Sequence, residues 1–183
     1  MTRPSKSRQI KLGAFLPGGG QHIAAWRHPD APADGATNFE FHKQLALTAE
    51  RGLFDTIFFA DAVGIREGEE LATLDSYSTL TRMDPMMLLA SLAMVTKRIG
   101  LTATVTTTYN APYHVARKFA TLDHLSGGRG SWNAVTSWTD SEARNFGLEG
   151  QIDPTQRYRR ATEFIEVVLG LWDSWDSDAF VFD

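Results

Sequence analysis

Two hydrophobic periods alternate along the chain. Strand-like runs at Ile10 to Leu16, Leu53 to Ala60, Ile99 to Thr107 and Arg129 to Val135 are each followed, after a connection, by helical spacing. The first helix is expected from about Phe39 to Arg51, with Phe41, Leu45 and Thr48 or Ala49 on one face and Gly52 as its C′ residue. Asp84-Pro85 reads as an N-cap with proline at the first helical position, opening an apolar helix over Met86 to Lys97. Pro112 to Leu125 carries Val115, Phe119 and Leu122 on one face, and Gly127-Gly128 ends it. Asp153-Pro154 repeats the cap signal before a stripe of Phe164, Ile165, Val168, Leu171 and Trp172. The spacing therefore predicts four β/α units with parallel strands and right-handed crossovers.

The strand ends carry the chemistry. Asp61 closes one, Thr106-Thr107-Thr108-Tyr109 the next, and Asn133 with Thr136-Ser137 the last. In a β/α barrel that rim is where ligands bind, which points to an enzyme or a piece of one. Four units make half of an eightfold barrel, for which about 250 residues is typical. An open four-stranded sheet in a doubly wound domain is the competing architecture. A half-barrel leaves two bare strand edges. Asp176 to Asp183, with Phe180-Val181-Phe182, reads as the start of another strand.

Composition narrows the function classes. With 183 residues and 43% hydrophobic content, the chain can bury the core of one domain or a large part of one. Its net charge is −4, and its basic residues are scattered apart from Arg157-Tyr158-Arg159-Arg160. That argues against nucleic acid as a partner. The absence of cysteine excludes disulfides, thiolate metal sites and iron–sulfur clusters. Met1 to Lys11 lacks the apolar centre of a secretory signal, and no run approaches the roughly 20 apolar residues of a membrane span. The expectation is a cytoplasmic protein.

Each candidate has a bland alternative. Gly18-Gly19-Gly20 lacks the Gly-Lys-Ser/Thr of a phosphate loop, and the dinucleotide pattern fails at Ile23, leaving a loop that admits a ligand or a plain turn. Asp61, after an apolar strand, either faces a pocket or caps the next loop. Asn133 offers donor and acceptor to a heterocycle, or bridges strands. The acidic cluster Glu67, Glu69 and Glu70 reads as solvated. The five histidines show no metal-ligand spacing, so no metal is expected. His22 and His28 lie in a long first loop where one could touch substrate, and His124 is expected to pack at a helix end.

Several stretches taken together resemble the bacterial-luciferase-like flavin monooxygenases. These are His22 to Pro29, Phe54 to Asp61 with Val63-Gly64, Asp84-Pro85, Thr107-Thr108-Tyr109, Ala120 to Ser126, Gly128-Arg129, Trp132 to Ser137, Asn145-Phe146-Gly147 and Arg157-Tyr158. The match is closer to the group containing nitrilotriacetate monooxygenase component A and the dibenzothiophene-sulfone and long-chain alkane monooxygenases. The resemblance implies an α/β fold, the luciferase-like (β/α)8 TIM barrel. Residues 1–183 would be the N-terminal part of that single domain. It implies FMN contacts at Asp61, Thr104, Ser137 and Tyr158, with Asn133 close to the flavin. Reduced FMN would come from a separate NAD(P)H-dependent flavin reductase and act with O2 on a small organic substrate. Two positions depart from the family pattern: Pro154 stands where a histidine is usual, and Trp138 where one relative has histidine. The rival expectations are a non-catalytic half-barrel that pairs its open edges in a homo-oligomer, and a luciferase-like reductase using a deazaflavin.

Overall fold

The computed structural model describes residues 9–16, 20, 22, 24–65, 81–176 and 178–179. Four parallel strands form one sheet in the order β1 (Gly13–Phe15), β2 (Thr56–Phe59), β3 (Gly100–Thr106) and β4 (Gly130–Val135). The long helices are α1 (Phe39–Arg51), α2 (Pro85–Ala93), α3 (Pro112–Ser126) and α5 (Pro154–Trp172). The short helix α4 (Asp140–Asn145) follows β4. A single turn of 3-10 helix, Ala25–Arg27, interrupts the first loop.

Strand order and the one-sided core decide between the two architectures. Side chains on a strand alternate between faces. Ile57 and Phe59 of β2, with Leu101 and Ala103 of β3, enter one core with Ala46, Leu89, Leu92, Val115, Phe119, Phe164 and Val168 from all four long helices. The opposite row holds Thr56, Thr102, Thr104, Thr106, Ser131 and Asn133, with Phe15, Phe58 and Val135 among them. In it, Thr102 pairs with Ser131 and Thr104 with Asn133 across β3 and β4. Sequential order with helices on one face is the arrangement of a β/α barrel arc. A doubly wound sheet covers both faces.

The caps explain why the helices start where they do. Asn38 accepts a hydrogen bond from the Phe41 amide, Asp84 from Met87, and Asp153 from Thr155 and Gln156. Proline occupies the first turn of α2, α3 and α5, where no amide is missed. Gly127 ends α3 in the left-handed conformation at φ 68°.

Several expectations need correction. The buried residues of α1 are His42, Ala46 and Ala49, so Ala49 lies on the core side as expected while Phe41 and Leu45 are only half-buried. Gly52 has φ −73°, and the left-handed residue is Leu53 at φ 60°. Helix α2 stops at Ala93: the Ala93 carbonyl goes to Arg129 and the Lys97 amide, its expected partner, to Glu50. His124 stands in the last turn of α3 as expected, with its side chain exposed. The acidic cluster at Glu67, Glu69 and Glu70, most of the triple-glycine run and Phe180-Val181-Phe182 lie outside the described residues.

Charged side chains stitch the N-terminal ends of the strands. The Arg129 guanidinium donates to the carbonyls of Ala93, Thr96, Ile99 and Ser126 and to the Thr96 hydroxyl, over 2.7–3.2 Å. Glu50 Oε1 accepts the amides of Lys97, Arg98 and Ile99 at 2.8, 2.6 and 3.1 Å. Asp55 holds Lys11 Nζ and the Leu12 amide, both at 2.8 Å, tying the chain ahead of β1 to β2.

Candidate functional site

A cleft opens at the C-terminal ends of the strands. Its polar wall is Asp61, Thr104, Thr106, Ser137 and Glu142, and its apolar wall Ala62, Val63 and Val135. The enclosed space is only about 10 Å³, room for roughly one water molecule. Ligand pockets usually begin near ~300 Å³. In this chain the cleft is therefore a shallow polar wall and does not enclose a ligand.

Three of the expected residues meet here and a fourth touches them. Asp61 follows β2 directly, Thr104 sits in β3, and Ser137 ends the extension of β4. Asn133 donates from Nδ2 to Thr104 Oγ1 at 3.0 Å, so its amide bridges β3 and β4 just beneath the cleft. Tyr158 is not part of this wall; its side chain is 66% exposed on the first turn of α5. The preceding residue, Arg157, is the one that turns inward, donating to the Ser137 carbonyl. His22 and His28 accept the amides of Ala24 and Asp30 through Nδ1, shaping the first loop locally.

Glu142 is the residue the sequence reading missed. It is 3% exposed although it is a carboxylate on a six-residue helix. Thr139 and Glu142 form a capping box, a Thr-x-x-Glu signal visible in the sequence. Its Oε2 accepts the Trp138 amide at 3.0 Å, the Thr139 amide at 3.1 Å and the Thr139 hydroxyl at 3.1 Å. Its Oε1 accepts the Ser137 hydroxyl at 2.9 Å. These bonds hold Ser137 in the left-handed region at φ 57°, unusual for a residue with a side chain. Gly64 lets the β2 loop reach this turn, because a Cβ there would lie 2.5 Å from the Glu142 amide nitrogen.

The two carboxylates of the cleft are pushed apart. Burial raises the Asp61 carboxyl above its usual value, and Asp84 and Glu142 add to that against the opposing Arg82 charge and Ala62 amide. Burial would raise Glu142 too, but the donors from Trp138, Thr139 and Ser137 outweigh it and hold the group below its usual value. Environments that separate two acids in this way give one proton carrier and one fixed anion. Tyr109 lies nearby, its ring stacked 4.5 Å from Phe146 and its hydroxyl donating to Gln151 at 2.8 Å. Among the described residues no cluster of acids and histidines is grouped to hold a metal ion, and no helix is long and apolar enough to cross a membrane.

Known proteins agree with this frame. The sequence pattern of the luciferase-like monooxygenases matches residues 20–182. An N-acetyl-S-(2-succino)cysteine monooxygenase from Bacillus subtilis (strain 168) is 54% identical over 180 residues, covering 97% of this chain and 39% of that protein. A long-chain alkane monooxygenase structure superposes with a TM-score of 0.87 at 36% identity, covering 97% of this chain and 42% of the other. A riboflavin lyase solved with modified FMN and riboflavin gives a TM-score of 0.87 at 34% identity, over 96% of this chain and 41% of that one. The chain thus spans about two-fifths of the length of these relatives, and the arc of four strands fits half of their barrel. It belongs to the luciferase-like monooxygenase family.

Proposed function

We propose that the chain is the N-terminal part of an FMN-dependent monooxygenase domain and supplies one wall of its flavin site. The observation that carries this reading is the convergence of Asp61, Thr104 and Ser137 on one cleft, with Asn133 bonded to Thr104. The fit to a flavin rests on the donor set. An amide, hydroxyls and one raised carboxyl offer both donors and acceptors to the polar edge of a flat heterocycle. Reduced FMN, delivered by an NAD(P)H-dependent flavin reductase, supplies the electrons that activate O2 for transfer of an oxygen atom to a small organic substrate.

This chain's residues would bind and orient. Thr104, Ser137 and Asn133 fix the ring edge, and Asp61, whose carboxyl burial raises above its usual value, lies beside them. Trp138, exposed beside the cleft, shapes the substrate side. Tyr158 lies where it can close on cofactor only from outside the cleft, beside the inward-facing Arg157. Val63 and Val135 keep water from the reacting face.

Anaerobic titration of the isotope-labelled chain with photoreduced FMN tests the reading. Saturable resonance shifts at Asp61, Thr104 and Ser137, reduced at least tenfold in affinity by Asp61→Ala, are expected. Shifts confined to other surfaces would end it. Among the described residues β1 and β4 are the sheet's edges, and exposed Ile10, Leu12 and Phe15 at or just before β1 favour a second reading. In it the half-barrel persists as a homo-oligomer by edge pairing. Sedimentation as a folded monomer would exclude that.

A further inference from the structure

The direction of the hydrogen bonds around Ser137 is fixed by proton counting. Ser137 Oγ lies 2.9 Å from Glu142 Oε1 and 3.0 Å from Thr106 Oγ1, yet a hydroxyl has one proton. The ionised Glu142 carboxylate can only accept, so Ser137 donates to it. With its one proton on Glu142, Ser137 can only accept across the contact with Thr106, so the Thr106 hydroxyl donates there while its oxygen accepts the Thr108 amide at 3.2 Å. The chain runs one way: Thr108 amide, Thr106 hydroxyl, Ser137 hydroxyl, Glu142. Both hydroxyl protons are drawn along it, leaving only lone pairs on Thr106 and Ser137 for the cleft they line.

We propose that Glu142 is a positioning residue that makes the Thr106–Ser137 wall an acceptor-only edge, so that the cleft takes the N–H edge of a flat heterocycle. The identity of that heterocycle as a flavin rests on the function proposed above; the polarity of the wall does not. Glu142 acts through Ser137 and is held from behind by three donors on its other oxygen. The arrangement explains why an acid with so little exposure sits on so short a helix. An apolar residue at this position would leave the Trp138 and Thr139 amides and the left-handed turn unsupported.

Glu142→Gln reverses the wall without removing the side chain. The amide oxygen must face the three donors of Trp138 and Thr139, so the NH2 group takes the other side, gives up the weaker 3.4 Å bond from the Val63 amide and donates to Ser137. One hydroxyl proton, on Ser137 or Thr106, is then released toward the cleft. In the wild-type chain, NMR should detect a Ser137 hydroxyl proton that is downfield and protected from solvent exchange; in Glu142→Gln that signal should be lost. Lumiflavin should bind the wild type about tenfold more tightly than 3-methyllumiflavin, which lacks the ring N–H. The preference should fall to within about twofold in Glu142→Gln. Ser137→Gly, which tolerates the left-handed backbone, should lose the preference as well and serves if the glutamine variant does not fold. A wild-type chain lacking the protected hydroxyl, or one binding both flavins equally, would overturn the proposal. If neither flavin binds but the hydroxyl behaves as described, the flavin reading fails and the role of Glu142 stands.

Discussion

The two ends of the sheet use charge in opposite ways. At the N-terminal ends Arg129, Glu50 and Asp55 spend their hydrogen-bonding capacity on backbone groups of neighbouring loops, and the region is closed. At the C-terminal ends Asp61 and Glu142 sit beside a cleft, one carboxyl raised and the other lowered. One end satisfies its polar groups for rigidity; the other satisfies Glu142 but leaves the buried Asp61 carboxyl only partly compensated. In a β/α barrel this is the division between a structural and a reactive face.

Breaking the closed end should have the largest effect. Arg129→Met leaves four carbonyls and a hydroxyl without their donor and should lower unfolding free energy by roughly 3–4 kcal/mol in urea titration. A loss below about 1 kcal/mol would mean that water replaces the guanidinium and the end is not closed. Glu50→Gln is milder, about 1 kcal/mol, because the carboxylate is partly exposed. It also carries a pH signature. Burial would raise Glu50, but the amides of Arg98, Lys97 and Ile99 outweigh it and lower the group. Its contribution is therefore complete above the usual 4.5 and disappears as pH falls through the lower folded value. The urea midpoint of the variant should fall less steeply than wild type over that window.

At the open end the sign reverses. The raised Asp61 makes wild type lose stability as pH climbs from the usual 3.8 through the folded value. Asp61→Asn should be as stable as wild type or slightly more so at neutral pH, while reduced-flavin affinity falls about tenfold through loss of the carboxyl. A variant that is strongly destabilised would place Asp61 among the structural charges and erase the contrast. The smallest effect is expected at Tyr158→Ala, within about 0.5 kcal/mol by thermal melt, because that side chain packs on nothing the cleft requires.

The order of units was readable because helical stripes such as Val115, Phe119 and Leu122, and caps such as Asp153-Pro154, are local signals. Asp61 and Ser137 were readable as strand ends, which sequence marks well. Glu142 was not, because six residues are too few for a period to emerge and its burial depends on a turn brought over from β2. Arg157 stands in the basic run Arg157-Tyr158-Arg159-Arg160, whose composition does not say which side chain turns inward; α5 points Arg157 at the Ser137 carbonyl. Asn133 was left open between ligand contact and strand bridge. The bridge to Thr104 is present, and the flavin contact awaits titration.

The threonine-rich concave row has a consequence for how such a barrel is made. Hydroxyls at Thr56, Thr102 and Ser131 can stay hydrated while later strands are still being synthesised. An arc with a greasy lining would adhere to other nascent chains at that stage. The apolar stretch of this row is the stacked Phe15 and Phe58 pair on β1 and β2, so a hydrophobic fluorophore should bind this chain weakly and lose that binding in Phe15→Ser.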